Sequence, residues 1–133
     1  MTNVLGVLAA TVASYVLGAL WFSPLLFGNV WAKLSGMDKK IKDFKKSDMN
    51  KAYVGNFLTT LVTAYVLSLF LNYTNSVTIV SAVQVALLAW AGFLATTQMG
   101  SIFWEQKPVK LYLLTTLHGL VSLLLMAVVL VLV

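Results

Sequence analysis

The sequence has no cysteine and no arginine, one histidine (His118), two prolines (Pro24 and Pro108), and four acids, Asp38, Asp43, Asp48 and Glu105. Without cysteine there is neither a disulfide staple nor a thiolate metal site. A lone histidine offers no second ligand or base, and the three loop aspartates stand among lysines without metal-ligand spacing, so no metal centre and no nucleophile–base pair is expected. No glycine-rich phosphate loop is present either. The expectation is that the protein is not an enzyme and holds no cofactor. Charged residues make up 10% of the 133 residues, where a soluble domain carries about a quarter. That shortfall excludes an ordinary cytosolic domain, a disordered tail and a secreted disulfide scaffold.

What the sequence does have is apolar length, with 60% hydrophobic residues and a mean hydropathy of +0.91. Four uncharged or nearly uncharged runs cover about residues 3–23, 52–73, 77–104 and 110–133. Each is long enough to cross a hydrocarbon core of about 30 Å as a helix. Lipid admits only helices or closed barrels, because backbone polar groups must be paired internally. The runs lack the alternation of barrel strands. The fold class read from the sequence is therefore all-α, a polytopic membrane protein with four transmembrane helices in a single domain over residues 1–133.

The lysines sort by segment. Lys33, Lys39, Lys40, Lys42, Lys45, Lys46 and Lys51 lie between the first and second runs, and Lys107 and Lys110 between the third and fourth. The remaining ends and connections carry none. By the positive-inside rule, the basic loop at 33–51 faces the cytoplasm and both ends of the chain lie outside, in an inner (cytoplasmic) membrane. The net charge of +5 is thus a topology signal, not a nucleic-acid footprint. Anionic lipid headgroups are a secondary partner for the loop. The first run lacks a positive n-region, so it reads as a retained anchor.

Pro24 ends or kinks the first helix. After it, Leu25, Leu26, Phe27, Val30, Trp31 and Leu34 supply an apolar side for a short interfacial helix. Residues 36–50 read as a solvated loop or a short amphipathic helix.

Within the spans, small residues recur every four positions: Gly6, Ala10, Ser14 and Gly18 on the first, Gly92, Thr96 and Gly100 on the third. Such stripes let helix backbones approach closely, within or between chains. A four-helix bundle encloses little interior, so a homo-oligomer surrounded by lipid is expected. Polar side chains also fall on stripes. Asn56, Thr60 and Thr63 share a face of the second span, Thr115, His118 and Ser122 one of the fourth, and Gln98 and Glu105 lie seven residues apart on the third. Counted from the lysine ends, Asn56, Gln98, Glu105 and His118 fall in the cytoplasmic half. They suggest one polar pocket open to the cytoplasm, with Trp21 and Ser23 nearby and Ser14 and Thr63 as its floor. An intramembrane ionisable residue is a functional candidate by default, and hydrogen bonds from His118 to Glu105, Gln98, Thr115 or a backbone carbonyl are expected. The competing interpretation is that these groups only hold helices together, at about 0.6 to 2 kcal/mol per contact.

The stretch from Gly18 to Trp31, GALWFSPLLFGNVW, resembles a signature of the bacterial membrane family catalogued as domain of unknown function 1761. A second signature is similar through Gln98, Phe103, Glu105, Pro108 and His118. The resemblance covers nearly the whole chain and implies a four-span inner-membrane protein. It brings no activity, substrate or catalytic residue. Members often carry an amide-bearing residue early in the fourth span, where this chain has Thr115 and Thr116. Two functions remain open: a small-solute or ion pathway or binding pocket, and a non-transporting accessory protein packed with lipids or a larger complex.

Overall fold

The computed structural model describes residues 3–133. It is an all-α polytopic membrane protein whose four spans are Val4–Trp21, Lys46–Tyr73, Ile79–Phe103 and Val109–Leu132. A short helix, Gly28–Ser35, follows the first span, and a turn of helix at Met37–Lys40 precedes the second.

Local chemistry sets the ends of these helices. Asn3 caps the first span, its side-chain oxygen accepting from the Leu5 amide at 3.1 Å. The second helix starts at Lys46, inside the segment expected to be loop, because the Asp48 carboxylate accepts from the Lys45 amide at 3.0 Å and starts the first turn in water. Thr78 caps the third span by accepting from the Ser81 amide. Gly36, at φ 80°, ends the short helix in the left-handed conformation that glycine adopts without a Cβ penalty.

Between Trp21 and Gly28 the chain reverses tightly. The Phe27 amide donates to Trp21 O (3.0 Å), and the Leu26 and Gly28 amides both donate to Ser23 O. A Cβ on Gly28 would stand 2.7 Å from the Ser23 carbonyl carbon and would also collide with Phe22 O. Only glycine fits there. The short helix after the first span is thus a separate element, joined by a glycine-dependent turn.

Asn3 and Val133 meet at one end of the bundle, where Asn3 Nδ2 donates to Val133 O at 3.0 Å. The core between the spans is built from small and flexible side chains, with Ala10, Ala64, Ala82, Ala86, Met126 and Ala127 buried. The first-span stripe joins this packing, since Gly6, Ala10 and Ser14 are all buried. On the third span the corresponding stripe is open. A Cβ on Gly92 would meet nothing within 4 Å, and Thr96 is exposed.

The third span is not a regular helix. Residues Trp90–Ala95 form a π-helical turn, and beyond it the Met99 amide donates to Thr96 O at 3.3 Å rather than one residue further back. The carbonyl of Ala95 instead accepts from the Tyr112 hydroxyl at 2.6 Å. Trp90 Nε1 donates to Thr116 O at 2.7 Å. The irregular turn is therefore fastened at both ends to the fourth span, which satisfies backbone oxygen where the α ladder is interrupted.

A polar cavity between the first, second and fourth spans

His118 packs against two aromatic side chains at the end of the first span, Trp21 and Phe22. Its ring centroid is 4.9 Å from that of Phe22 and 5.9 Å from that of Trp21. Trp21 is fixed in turn by donating Nε1–H to Leu114 O at 3.2 Å and by packing on Phe27 at 4.8 Å. Phe22 packs edge-on against Trp31 of the short helix at 5.3 Å. The glycine turn thus folds the short helix back to brace the rings around His118. Nε2 of His118 is buried against Gly18 and has no hydrogen-bond partner among the described residues. None of the bonds expected for it to Glu105, Gln98 or Thr115 is formed by that nitrogen.

Below the histidine lies a cavity of about 340 Å³, lined by Ser14, Tyr15 and Gly18 of the first span, Asn56, Thr59, Thr60 and Thr63 of the second, and His118, Gly119 and Ser122 of the fourth. Leu94, Leu123 and Met126 complete it with apolar surface. Its floor is the hydrogen-bonded pair Ser14 and Ser122, both buried. On the second-span wall the threonines bond to their own helix, Thr59 and Thr60 to Asn56 O and Thr63 to Thr59 O. The Asn56 side chain is exposed.

Gln98 and Glu105 lie elsewhere. They line a separate cleft of about 600 Å³ with Trp31, Ser35, Lys107, Tyr112 and Thr115. The single pocket drawn from the sequence is therefore divided: His118 and Asn56 share one cavity, Gln98 and Glu105 another. Gln98 follows the π turn at Trp90–Ala95, and Glu105 lies beyond the end of the third span at Phe103. Ser23 lines neither cavity, and its hydroxyl closes the turn by donating to Leu20 O at 2.7 Å. Trp21 lines neither as well and acts through its contact with His118. Tyr15 and Thr59 line the first cavity without having been singled out in the sequence, although Thr59 stands three residues after Asn56, a helical-neighbour spacing.

These spans and this intramembrane cavity define a polytopic four-helix membrane protein with a polar site between its helices. The chain belongs to the family described as "Protein of unknown function (DUF1761)", whose model matches residues 5–131. No curated protein and no solved structure matches it.

Proposed function

We propose that the protein binds a small solute in the cavity beneath His118, as a binding site or a step on a pathway reached from the lysine-bearing side. The observation that carries this reading is how little the cavity's polar groups contribute to holding helices together. Polar side chains inside a membrane normally repay their cost by bonding across helices. Here Ser14 and Ser122 do so, and Tyr15 donates to Tyr53 O at 3.4 Å. The three threonines bond within their own helix, His118 Nε2 has no partner among the described residues, and the Asn56 side chain is exposed. Groups kept polar at membrane depth without a structural bond are better accounted for by a ligand than by glue.

The orientation follows from the lysines. Placing Lys33 to Lys51, Lys107 and Lys110 on the cytoplasmic side of an inner membrane puts Asn3 and Val133 outside. The open small-residue stripe at Gly92 and Thr96 supports association of copies through the third span, since among the described residues nothing lies within 4 Å of a Cβ on Gly92 and Thr96 is exposed.

Native mass spectrometry of protein released gently from membranes tests the proposal. A reproducible non-lipid mass on the wild type, absent from a folded Asn56→Leu variant, is the expected result. A bare protein, with no bound solute in either form, would favour an accessory role packed with lipid or a larger complex.

A further inference from the structure

The hydroxyl groups around the cavity have largely committed their protons. A threonine or tyrosine hydroxyl has one proton to donate and two lone pairs to accept with. Thr59 and Thr60 give theirs to Asn56 O at 3.0 and 2.7 Å. Thr63 gives its own to Thr59 O at 2.9 Å, and Tyr15 points its proton at Tyr53 O at 3.4 Å. Ser14 and Ser122 are bonded to each other, so one of the two hydroxyls gives its proton to the other. Of these hydroxyls, only one serine keeps a free proton, while every oxygen keeps acceptor capacity. No Asp, Glu or Lys lines the cavity. An ion stripped of water there would find no acid or ammonium, and the one imidazole, His118, has its Nε2 buried against Gly18, a costly arrangement for a charge in a low-dielectric site. Leu94, Leu123 and Met126 offer apolar contact for a carbon skeleton.

We infer that the cavity selects an uncharged solute carrying several O–H donors, of the polyol class. The second-span wall accepts its hydroxyl protons, the Asn56 amide and the free serine proton serve its oxygens, and the apolar residues meet its C–H faces. The volume of about 340 Å³ admits either glycerol or a five-carbon polyol, and the longer chain brings more hydroxyls to the acceptors on the wall. This inference rests on the solute-binding reading above.

The test is isothermal titration of the full-length protein in nanodiscs with glycerol, xylitol, sodium acetate and methylammonium chloride. Xylitol should bind more tightly than glycerol, and neither salt should bind. Thr60→Val keeps the side-chain shape while removing one acceptor, and should weaken xylitol by about three- to tenfold. Thr115→Val, which lies in the other cleft, should leave xylitol binding unchanged. Acetate or methylammonium binding that is lost in Asn56→Leu would overturn the polyol assignment while leaving the solute site standing. Equal xylitol affinity in Thr60→Val and wild type would overturn it as well. No heat with any probe, together with a bare protein in native mass spectrometry, would overturn both the assignment and the site.

Discussion

Nε2 of His118 lies 3.4 Å from the point where a Cβ would stand on Gly18, so the first and fourth spans meet there as ring against bare backbone. The contact lies at the tight end of ordinary van der Waals distance. Gly18→Ala is therefore expected to be nearly neutral, because the gain in helix propensity, about 1 kcal/mol, offsets a slight crowding. Gly18→Leu forces the imidazole away from Trp21 and Phe22 and should destabilise the bundle by about 1–3 kcal/mol. Thermal unfolding of both variants in one detergent checks the contrast. Equal midpoints for Ala and Leu would show that the ring does not pack on this backbone.

Gly28 presents a harder limit. Its missing Cβ is opposed by backbone atoms, the Ser23 carbonyl carbon and oxygen both at 2.7 Å, and backbone cannot swing aside as a flexible side chain can. Gly28→Ala should open the turn between Trp21 and the short helix, costing about 1–3 kcal/mol through local rearrangement. Limited proteolysis reads this directly. Cleavage near residues 23–35 should accelerate while the spans stay protected, and unchanged cleavage would contradict the turn geometry.

The four spans were readable in the sequence because apolar length is a property of whole segments. Residues 3–23 and 110–133 are long and uncharged enough to admit one interpretation in lipid. The candidate site was only half readable. The placement of Ser14, Asn56, Thr63, His118 and Ser122 follows from regular helix periodicity, and the structure sets these residues around one cavity. Gln98 and Glu105 are placed by their seven-residue spacing and their depth, and neither says which side of the fourth span they meet. The third span also has an irregular turn at Trp90–Ala95, where Trp90 and Tyr112 fasten it to the fourth span through hydrogen bonds to Thr116 O and Ala95 O, contacts that no spacing within the third span reveals.

That turn can be tested by removing one oxygen. Tyr112→Phe leaves the ring in place but takes away the donor to Ala95 O, so a part-buried carbonyl loses its side-chain partner. The expected cost is about 1–3 kcal/mol, concentrated locally. Hydrogen exchange should quicken over residues 95–100 and remain as in wild type in the first span. A uniform change across all spans would mean that the hydroxyl supports the bundle as a whole rather than the irregular turn.

The third-span stripe separates association from folding. A Cβ on Gly92 meets nothing within 4 Å inside the chain, so Gly92→Leu should leave unfolding of the single chain unchanged. If copies associate along this face, the leucine side chain keeps their backbones apart, and native mass spectra should shift from oligomer towards monomer. An oligomer of unchanged size and stability would move the interface to another face.

The serine pair decides how much of the cavity floor is structural. Ser14 and Ser122 are buried and bonded to each other, so removing either hydroxyl strands the other without its partner. Ser14→Ala and Ser122→Ala should each destabilise by about 1–3 kcal/mol, whereas the double variant replaces both polar groups by apolar ones and should cost less than the sum. Double-mutant cycles across membrane helices give couplings averaging about 0.6 kcal/mol, with a maximum near 1.7, and the pair should fall in that range. Unfolding of the four proteins under one condition supplies the cycle. A coupling near zero would mean that water or a bound solute, rather than the opposite serine, satisfies each hydroxyl, and would extend the ligand site down to the floor itself.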